Sequence, residues 1–497
     1  MAAIARAPAG SLRRTLAEAA GWAQENIWPT LGRGLAHLAL LLVAVWVVRG
    51  ALVNQPVLAL GVVGLWLAGL VWVVIGAVRH HYDLGAQWLK DRLFNSAASA
   101  MVTLIIALWI VAAIRGLLAW AFLDASFVAD PAAVGPHTGA TWGVVIANLK
   151  LFLVGQFPRG ELWRVWASAL IVVALIILFI LVYGPLRQRL GGLRRVVVGL
   201  WLVSPIVLGF LLRGISPGTP LPIIETRFWG GLLLTLIITV FAVIVSFPLG
   251  ILLALGRRSQ LPGVPAWLIY LVAGGAALWG LVTYTLPAWP LARSPLEFVI
   301  ILWPVWLLLA GVALHRVWRG NVAAAFSTLY IELVRGVPLI TVLFLAQLML
   351  PLFLPANLNI ENAYRVMWGF ALFSAAYLAE NVRGALQSIP KGQYEAAEAL
   401  GLNTFNQLRL VILPQALRVV IPPITGQFIA LFKDTTLVAI VGLFDLLNIA
   451  NAVIAQPDWL GLRREAYLFI TVIYYIGCYG RAQMGYWLER QAGLGKR

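Results

Sequence analysis

The sequence predicts an all-α polytopic membrane protein with about twelve transmembrane helices. Of its 497 residues, 62% are hydrophobic and only 11% are charged, whereas an ordinary soluble domain has about 25% charged residues. The mean hydropathy is +0.91. A spanning helix needs roughly 20 mostly apolar residues, because every backbone amide must be hydrogen-bonded within the lipid. These observations exclude an ordinary soluble domain.

The predicted spans follow one another along almost the whole chain. They lie near residues 35–53, 57–78, 97–122, 165–183, 195–213, 230–255, 266–286, 296–314, 335–354, 366–387, 415–432 and 466–487. A thirteenth apolar stretch, 436–454, contains Asp445 and Asn448. Because these polar residues are costly in lipid, we predict that this stretch enters the membrane only in part.

The basic residues predict the orientation of the spans. The formal net charge of +17 suggests a nucleic-acid partner at first, but Lys and Arg are scattered through short loops rather than gathered in one basic domain. The positive-inside rule explains them better and places both termini in the cytoplasm. The orientation also places residues 390–414 inside, with the clusters Arg6/Arg13/Arg14/Arg33, Arg79/Lys90/Arg92, Arg187/Arg189/Arg194/Arg195, Arg257/Arg258, Arg316/Arg319 and Arg490/Lys496/Arg497.

The sequence offers little for metal or redox chemistry. Cys478 is the only cysteine, so no disulfide can form within the chain, and the five histidines lack metal-ligand spacing. No GxxxxGK[ST] nucleotide-binding pattern occurs either. We therefore expect no metal site and no cofactor bound by this chain.

A polar island interrupts the apolar pattern at residues 390–414. Its sequence predicts two short helices, with Gly401 in the left-handed position that ends the first and Asn403 or Thr404 capping the second. Pro414 is expected to end the second helix. That helix is amphipathic, with one apolar face formed by Phe405, Leu408 and Ile412. A plain cytoplasmic linker has the same amphipathic pattern.

The island resembles the EAA loop of ABC importer permeases. In that family the loop is a coupling helix that docks into a groove on a separate ATPase subunit, and its glycine allows the turn while its alanines allow close approach. The resemblance implies that ATP and magnesium are bound by that partner. Val411 departs slightly from the family, in which isoleucine is more usual. The matching positions are Glu395, Ala396, Ala397, Gly401, Leu413 and Pro414.

Other stretches resemble the polar amino acid uptake family of these permeases, most closely the general L-amino acid type. They are residues 228–260, the ELVRGVPL stretch within 329–354, residues 376–393, and Phe432–Val438, which resembles a KDTSL box. The resemblance implies a five-helix permease core of the type I importers, in a bacterial inner membrane. The core would comprise 228–260 and 328–490, with an N-terminal extension of about five helices (1–214) and an inserted two-helix hairpin (261–327).

The same motifs supply six candidates for substrate binding or gating: Glu332, Arg335, Glu380, Arg383, Lys433 and Asp434. The first two and the next two are spaced i, i+3, so each pair can join on one helix face and lower the cost of charge near the membrane. A purely structural pairing, with a kink at Pro338, remains an alternative. Asp434 or Thr435 can cap a helix that starts near Leu437, or that helix start can present free amides to a substrate carboxylate.

The resemblance also implies partners. They are an ATPase subunit, a second permease subunit, for which the family favours a related chain, and an extracytoplasmic amino-acid-binding protein. The alternative class is an ion-coupled secondary transporter, which predicts an inverted repeat with paired broken helices. The N-terminal half contains no second copy of the 329–414 pattern. A scaffold role for the N-terminal helices is compatible with either class.

Overall fold

The computed structural model describes residues 28–78, 82–133, 135, 137–183, 191–259, 263–291, 293–355 and 358–491. These ranges are helical and contain no strand, so the predicted all-α class is confirmed. Several residues used for the predicted orientation lie outside the described ranges: Arg6, Arg13, Arg14, Arg79, Arg187, Arg189, Lys496 and Arg497. The chain forms two compact units, 1–127 with 134–141, and 128–133 with 142–497.

The first unit contains three long helices and one short helix. They are α1 (Trp28–Asn54), α2 (Pro56–Val78), α3 (Leu84–Arg92) and α4 (Ala97–Leu118), which continues as a π turn to Leu123. Helix α1 packs on α2 and α4, and the indole of Trp66 donates a hydrogen bond to the Ala100 carbonyl at 3.0 Å. The short helix α3 is capped by Asp83, whose carboxylate accepts from the Ala86 amide at 2.7 Å.

The second unit holds all of the predicted core and part of the predicted extension, because residues 142–213 lie in it. Its first half contains α5 (Gly143–Ala147), α6 (Leu149–Val154), α7 (Leu162–Tyr183), α8 (Arg194–Arg213), α9 (Gly231–Arg257), α10 (Ala266–Gly280), α11 (Leu286–Ala288), α12 (Pro295–Ile301) and α13 (Trp303–Trp318). Its second half contains α14 (Val322–Gly336), α15 (Leu339–Phe344), α16 (Leu350–Phe353), α17 (Asn362–Ser388), α18 (Lys391–Ala399), α19 (Thr404–Asn406), α20 (Leu413–Asp434), α21 (Leu446–Ile454) and α22 (Arg463–Gln491).

Helical segments lie at all twelve predicted span positions, but the number twelve stays a prediction. Within the described ranges, eight helices are long and apolar enough to cross a membrane, and ten are if each of two bent pairs counts as one span. Helices α17 and α22 are more polar and are not among the eight. One bent pair is α14 with α15–α16, which turn by 108° around Val337 and Pro338. The proline thus breaks the helix, where the sequence predicts a kink.

Helix α9 packs along α17 more extensively than any other pair of helices in the described ranges. Its buried residues include a stripe of small and hydroxyl side chains beside Leu234 and Ile238, and small side chains let helix backbones approach closely in lipid. Each threonine hydroxyl is satisfied within the helix, since Thr235 donates to Gly231 and Thr239 to Thr235. The stripe consists of Thr235, Thr239, Ala242, Ser246, Gly250 and Ala254.

We expect Gly250→Ala to destabilise this helix pair. A Cβ atom at residue 250 would lie 2.4 Å from Cδ2 and 2.8 Å from Cβ of Leu378 on α17. Overpacking of this kind costs about 1–3 kcal/mol, so the thermal unfolding midpoint in detergent should fall. Gly209→Ala on α8 is the matched control, because no atom lies within 4 Å of a Cβ there. An equal midpoint for both variants would contradict close packing at Gly250.

Candidate functional site

Residues 391–414 form a helix, a turn and the start of a second helix, and we call them the coupling loop after the role that the resemblance implies. Helix α18 ends before Gly401, whose φ of 75° lies in the left-handed region. The Asn403 side chain caps the next helix by accepting from the Asn406 amide at 2.9 Å. The local backbone signals therefore place the turn correctly.

The coupling loop presents one surface outward. Glu395, Ala396, Gly401 and Pro414 are exposed, Leu413 is half-buried, and Ala397 is buried. Large apolar side chains also point outward, and the two most exposed are Leu400 at 79% and Phe405 at 67%. Of the predicted apolar face, Leu408 and Ile412 pack into the core and Phe405 does not. Contiguous exposed apolar surface marks a site of contact with a protein or with the membrane.

Hydrogen bonds tie the coupling loop to the helices on either side. The Tyr394 hydroxyl donates to the Leu386 carbonyl of α17 at 3.2 Å. The Gln407 side chain donates to the Tyr394 carbonyl at 2.7 Å, and the Gln415 side chain donates to Oε1 of Gln393 at 3.1 Å. A force on α18 therefore reaches α17 and α20 through direct contacts.

The prediction that Pro414 ends the second helix is wrong. One continuous helical segment runs from Thr404 to Val441, with a π turn at Gln407–Ile412 just before the proline. In this turn the Leu413 amide donates to the Leu408 carbonyl, five residues back. The wider turn gives room to the proline ring, which in a regular α-helix clashes with the carbonyl four residues back.

Four of the six predicted charged candidates meet near the cytoplasmic ends of three helices in the predicted orientation. Together with Arg257 at the end of α9 they form what we call the charge network: Arg257, Glu332, Arg335, Glu380 and Arg383. Arg257 donates to Glu332 at 2.7 Å and lies 3.5 Å from Glu380. Arg335 approaches Glu380 at 3.7 Å, and Arg383 donates to it through Nε at 2.8 Å. The network thus joins α9, α14 and α17.

Only one of the two predicted local pairs forms. Glu380 and Arg383 pair on α17 as the i, i+3 spacing predicts. Glu332 instead pairs with Arg257 from another helix, and Arg335 lies over the Tyr377 ring at 5.6 Å from its centroid. Arg257 was not predicted as a site residue, because its partners depend on how α9 packs against α14 and α17. Its place at the end of an apolar span, beside Arg258, was the one available signal.

Lys433 and Asp434 lie away from the charge network. Lys433 is exposed and Asp434 half-buried at the end of α20, and within the described part of the chain neither forms an ion pair with the network. The predicted helix start near Leu437 is wrong, because α20 runs directly into a 3₁₀ segment at Thr435–Val441. The Thr435 hydroxyl donates back to the Phe432 carbonyl at 2.7 Å rather than capping a new helix.

The new helix begins at Leu446, after a turn through Gly442. The buried Asp445 is its cap, accepting from the Asn448 amide at 3.0 Å and the Leu447 amide at 3.2 Å. Residues 436–454 are therefore two short helical pieces joined by a turn.

A further polar contact joins α17 to α20 and was not predicted. The Gln427 side chain donates to the carbonyl and hydroxyl of Ser374 at 2.9 and 3.0 Å, and it accepts from Asn381 at 2.8 Å. The available signal was a glutamine in the middle of a mostly apolar span. For metals, no group of three or more His, Cys, Asp or Glu side chains in the described ranges could hold an ion.

Known proteins with this sequence pattern are permeases. The family model described as the binding-protein-dependent transport system inner membrane component matches residues 307–491, which include the coupling loop and four members of the charge network. The inner membrane amino-acid ABC transporter permease protein YhdY of Escherichia coli (strain K12) is 34% identical over 419 residues, which are 84% of this chain and 95% of that protein. The chain belongs to the family of amino-acid ABC transporter permeases.

A second permease shows the same full-length likeness. The glutamate/glutamine/aspartate/asparagine transport system permease protein BztC of Rhodobacter capsulatus is 31% identical over 464 residues, covering 82% of this chain and 93% of that protein. A solved structure, described as the crystal structure of an amino acid ABC transporter with histidines, is 24% identical with a TM-score of 0.35, over 52% of this chain and 92% of that chain.

As an amino-acid ABC transporter permease, the chain is a multi-pass inner membrane protein. Its family works with an ATPase and a binding protein. The ion-coupled secondary transporter, the alternative class, is not supported.

Proposed function

We propose that this chain, with a second permease subunit, forms the pathway of an ATP-driven importer of amino acids. The observation that carries the proposal is the coupling loop, whose exposed surface joins small residues, a left-handed glycine and two outward-pointing apolar side chains. A groove on an ATPase subunit would receive Glu395, Ala396 and Gly401, with the buried Ala397 letting α18 lie close to its own supporting helices. Leu413 and Pro414 would fix the direction in which the loop rejoins α20.

The charge network is placed to respond to that docking. Glu380 lies eight residues before the end of α17 at Ser388, a distance of about 12 Å along the helix. The coupling loop is hydrogen-bonded to the same helix end through Tyr394. We infer that closure of the ATPase moves the end of α17, and that Glu332, Arg335, Glu380 and Arg383 exchange partners as the cytoplasmic side opens.

Lys433 and Asp434 remain the candidates for contact with substrate. An amino acid carries both charges, so its recognition needs one anionic and one cationic group in the pathway. An exposed lysine beside a half-buried aspartate at the end of α20 supplies both. The substrate shifts the balance of conformations only if it binds one of them better than the other.

The proposal includes further partners and an orientation. An extracytoplasmic binding protein would deliver the amino acid, and the second permease subunit would be a related chain, which gives a heterodimer. Both termini would lie in the cytoplasm. This chain would bind no cofactor, with ATP and magnesium held by the ATPase.

Purification of the tagged chain from its host in mild detergent, followed by mass spectrometry, tests this proposal. We expect an ATPase, a related permease and a binding protein to co-purify, and Gly401→Asp to lose or uncouple the ATPase. Gly461→Asp is the matched control, since Gly461 also has a positive φ with open space around a Cβ. Absence of an ATPase, with uptake that persists without ATP, would contradict the proposal.

A further inference from the structure

Two apolar grooves in the first unit meet at one arginine side chain. The first groove has a volume of about 690 Å³ and the second about 550 Å³, and both are lined by α1, α2 and α4. Helical periodicity places their lining residues on opposite faces of α1, with Arg49 and Val53 on the strip between these faces. Arg49 and Val53 line both grooves. On α1, the first groove includes Val47, Gly50 and Asn54, and the second includes Leu41, Val48 and Leu52.

Both grooves are apolar and open. Among the described residues that line them, Arg49 is the only charged one. Trp46 and Trp109 form part of the wall of the first groove and are 75% and 68% exposed. A Cβ atom at Gly50 would contact no neighbouring helix within 4 Å. Pockets of about 300–1,000 Å³ are of the size that binds small molecules, so each groove can hold a hydrocarbon chain.

The position of Arg49 favours an anionic ligand. Arg49 lies five residues before the end of α1 at Asn54, a distance of about 8 Å along the helix. In the proposed orientation this is the extracytoplasmic end, where the positive-inside rule disfavours Lys and Arg. An unpaired charge on the lipid-facing part of a helix is costly, and within the described ranges Arg49 forms no ion pair. An anion from outside the chain would remove that cost.

A second arginine lies on the same side of the membrane. Arg115 follows Val111 by four positions and Ala112 by three on α4, so it shares a helix face with these two groove residues. Helix α4 crosses in the same direction as α1 in the proposed orientation, and Arg115 lies in its last turn. Arg115 is exposed, and no ion pair among the described residues includes it. Two guanidinium groups therefore lie toward this end of the grooves.

We propose that the first unit binds one phospholipid with a net negative headgroup, such as phosphatidylglycerol. The phosphate binds Arg49, and the two hydrocarbon chains lie in the two grooves. Arginine recognises phosphate through paired N–H donors, and two apolar grooves that meet at one guanidinium match a molecule with one phosphate and two chains. Arg115 adds a second positive charge, which favours a net negative headgroup over a zwitterionic one. This inference does not depend on the proposed transport function.

A partner helix fits the grooves less well than a lipid. A transmembrane helix is about 10–12 Å wide with its side chains, so it would cover one face of α1 and leave the groove on the other face open. An apolar helix would also bury Arg49 without an anion, which is unfavourable for a charged group. A lipid fills both grooves and supplies the anion.

Native mass spectrometry of the full chain tests the lipid site. The chain is reconstituted in vesicles of equal parts phosphatidylglycerol and phosphatidylethanolamine, extracted in mild detergent and weighed with its bound lipid. We expect the wild-type chain to retain phosphatidylglycerol in preference, and Arg49→Gln with Arg115→Gln to reduce that retention by about tenfold. Arg227→Gln is the matched control, because Arg227 is an exposed arginine outside the grooves that pairs with Glu225.

A groove-filling variant gives a second readout. Gly50→Leu places a side chain in the first groove without meeting a neighbouring helix, so it should displace the lipid while the helical content by circular dichroism is unchanged. Gly64→Leu on α2 is its control, because a Cβ there also has open space and Gly64 lines neither groove.

Three results would overturn the lipid site. They are equal retention of both lipids by the wild-type chain, wild-type retention of phosphatidylglycerol by the double arginine variant, and wild-type retention by Gly50→Leu. If Gly50→Leu instead loses a co-purifying membrane protein while its bound lipid is unchanged, the grooves bind a protein partner.

Discussion

Replacing both Leu400 and Phe405 with serine is expected to detach the ATPase from the permease without unfolding the chain. Both side chains are largely exposed in this chain, so their loss removes few internal contacts. Burial of a large apolar side chain at an interface contributes about 1.5–3 kcal/mol. Loss of two such side chains should therefore weaken ATPase binding by roughly 100-fold or more.

Co-purification of the ATPase with the tagged double variant measures this effect, and the thermal unfolding midpoint of the permease reports on its fold. Leu460→Ser is the matched control, because Leu460 is 74% exposed in a turn outside the coupling loop. We expect the control to retain the ATPase. If the double variant retains the ATPase at the wild-type ratio, the docking surface lies elsewhere on the chain.

Features that depend on neighbouring residues were predictable from the sequence. The turn at Gly401, the cap at Asn403 and the Glu380–Arg383 pair each depend on residues within four positions of one another. Their geometry follows from the helical repeat and from the residue types alone. The positions of the apolar helices follow in the same way from the length needed to cross a bilayer.

Features that depend on packing between helices were not predictable. The partner of Glu332 is Arg257, 75 positions away, and the bridge made by Gln427 joins two helices. The sequence also misplaced two helix boundaries. A π turn accommodates Pro414 within a continuing helix, and the cap that begins α21 is Asp445 rather than Asp434 or Thr435. Each of these residues can cap or end a helix, but packing against the surrounding helices determines where a helix begins and ends.

Replacing Glu380 with glutamine is expected to uncouple ATP hydrolysis from transport. Its carboxylate is the common acceptor for Arg257, Arg335 and Arg383. A neutral amide leaves three guanidinium groups close together with a single acceptor oxygen. Because the site is partly exposed, we expect the substitution to destabilise the closed contact between these helices by about 1.4 kcal/mol. Breaking a fully buried ion pair costs more, roughly 3–5 kcal/mol. The cytoplasmic end of α17 should then separate from α9 and α14 without substrate.

That cost corresponds to about a tenfold change in an equilibrium constant. Basal ATPase activity in proteoliposomes should therefore rise about tenfold, and amino acid uptake per ATP should fall by a similar factor. Glu332→Gln removes the same charge from a more exposed position whose only ion pair among the described residues is with Arg257, so its effect should be at most about twofold. Adding Arg383→Gln to Glu380→Gln should restore part of the coupling, because it removes one of the uncompensated cations. Equal effects of Glu332→Gln and Glu380→Gln would show that Glu380 is not the centre of the network, and the cytoplasmic end of α17 would then be held by its packing against α9 instead.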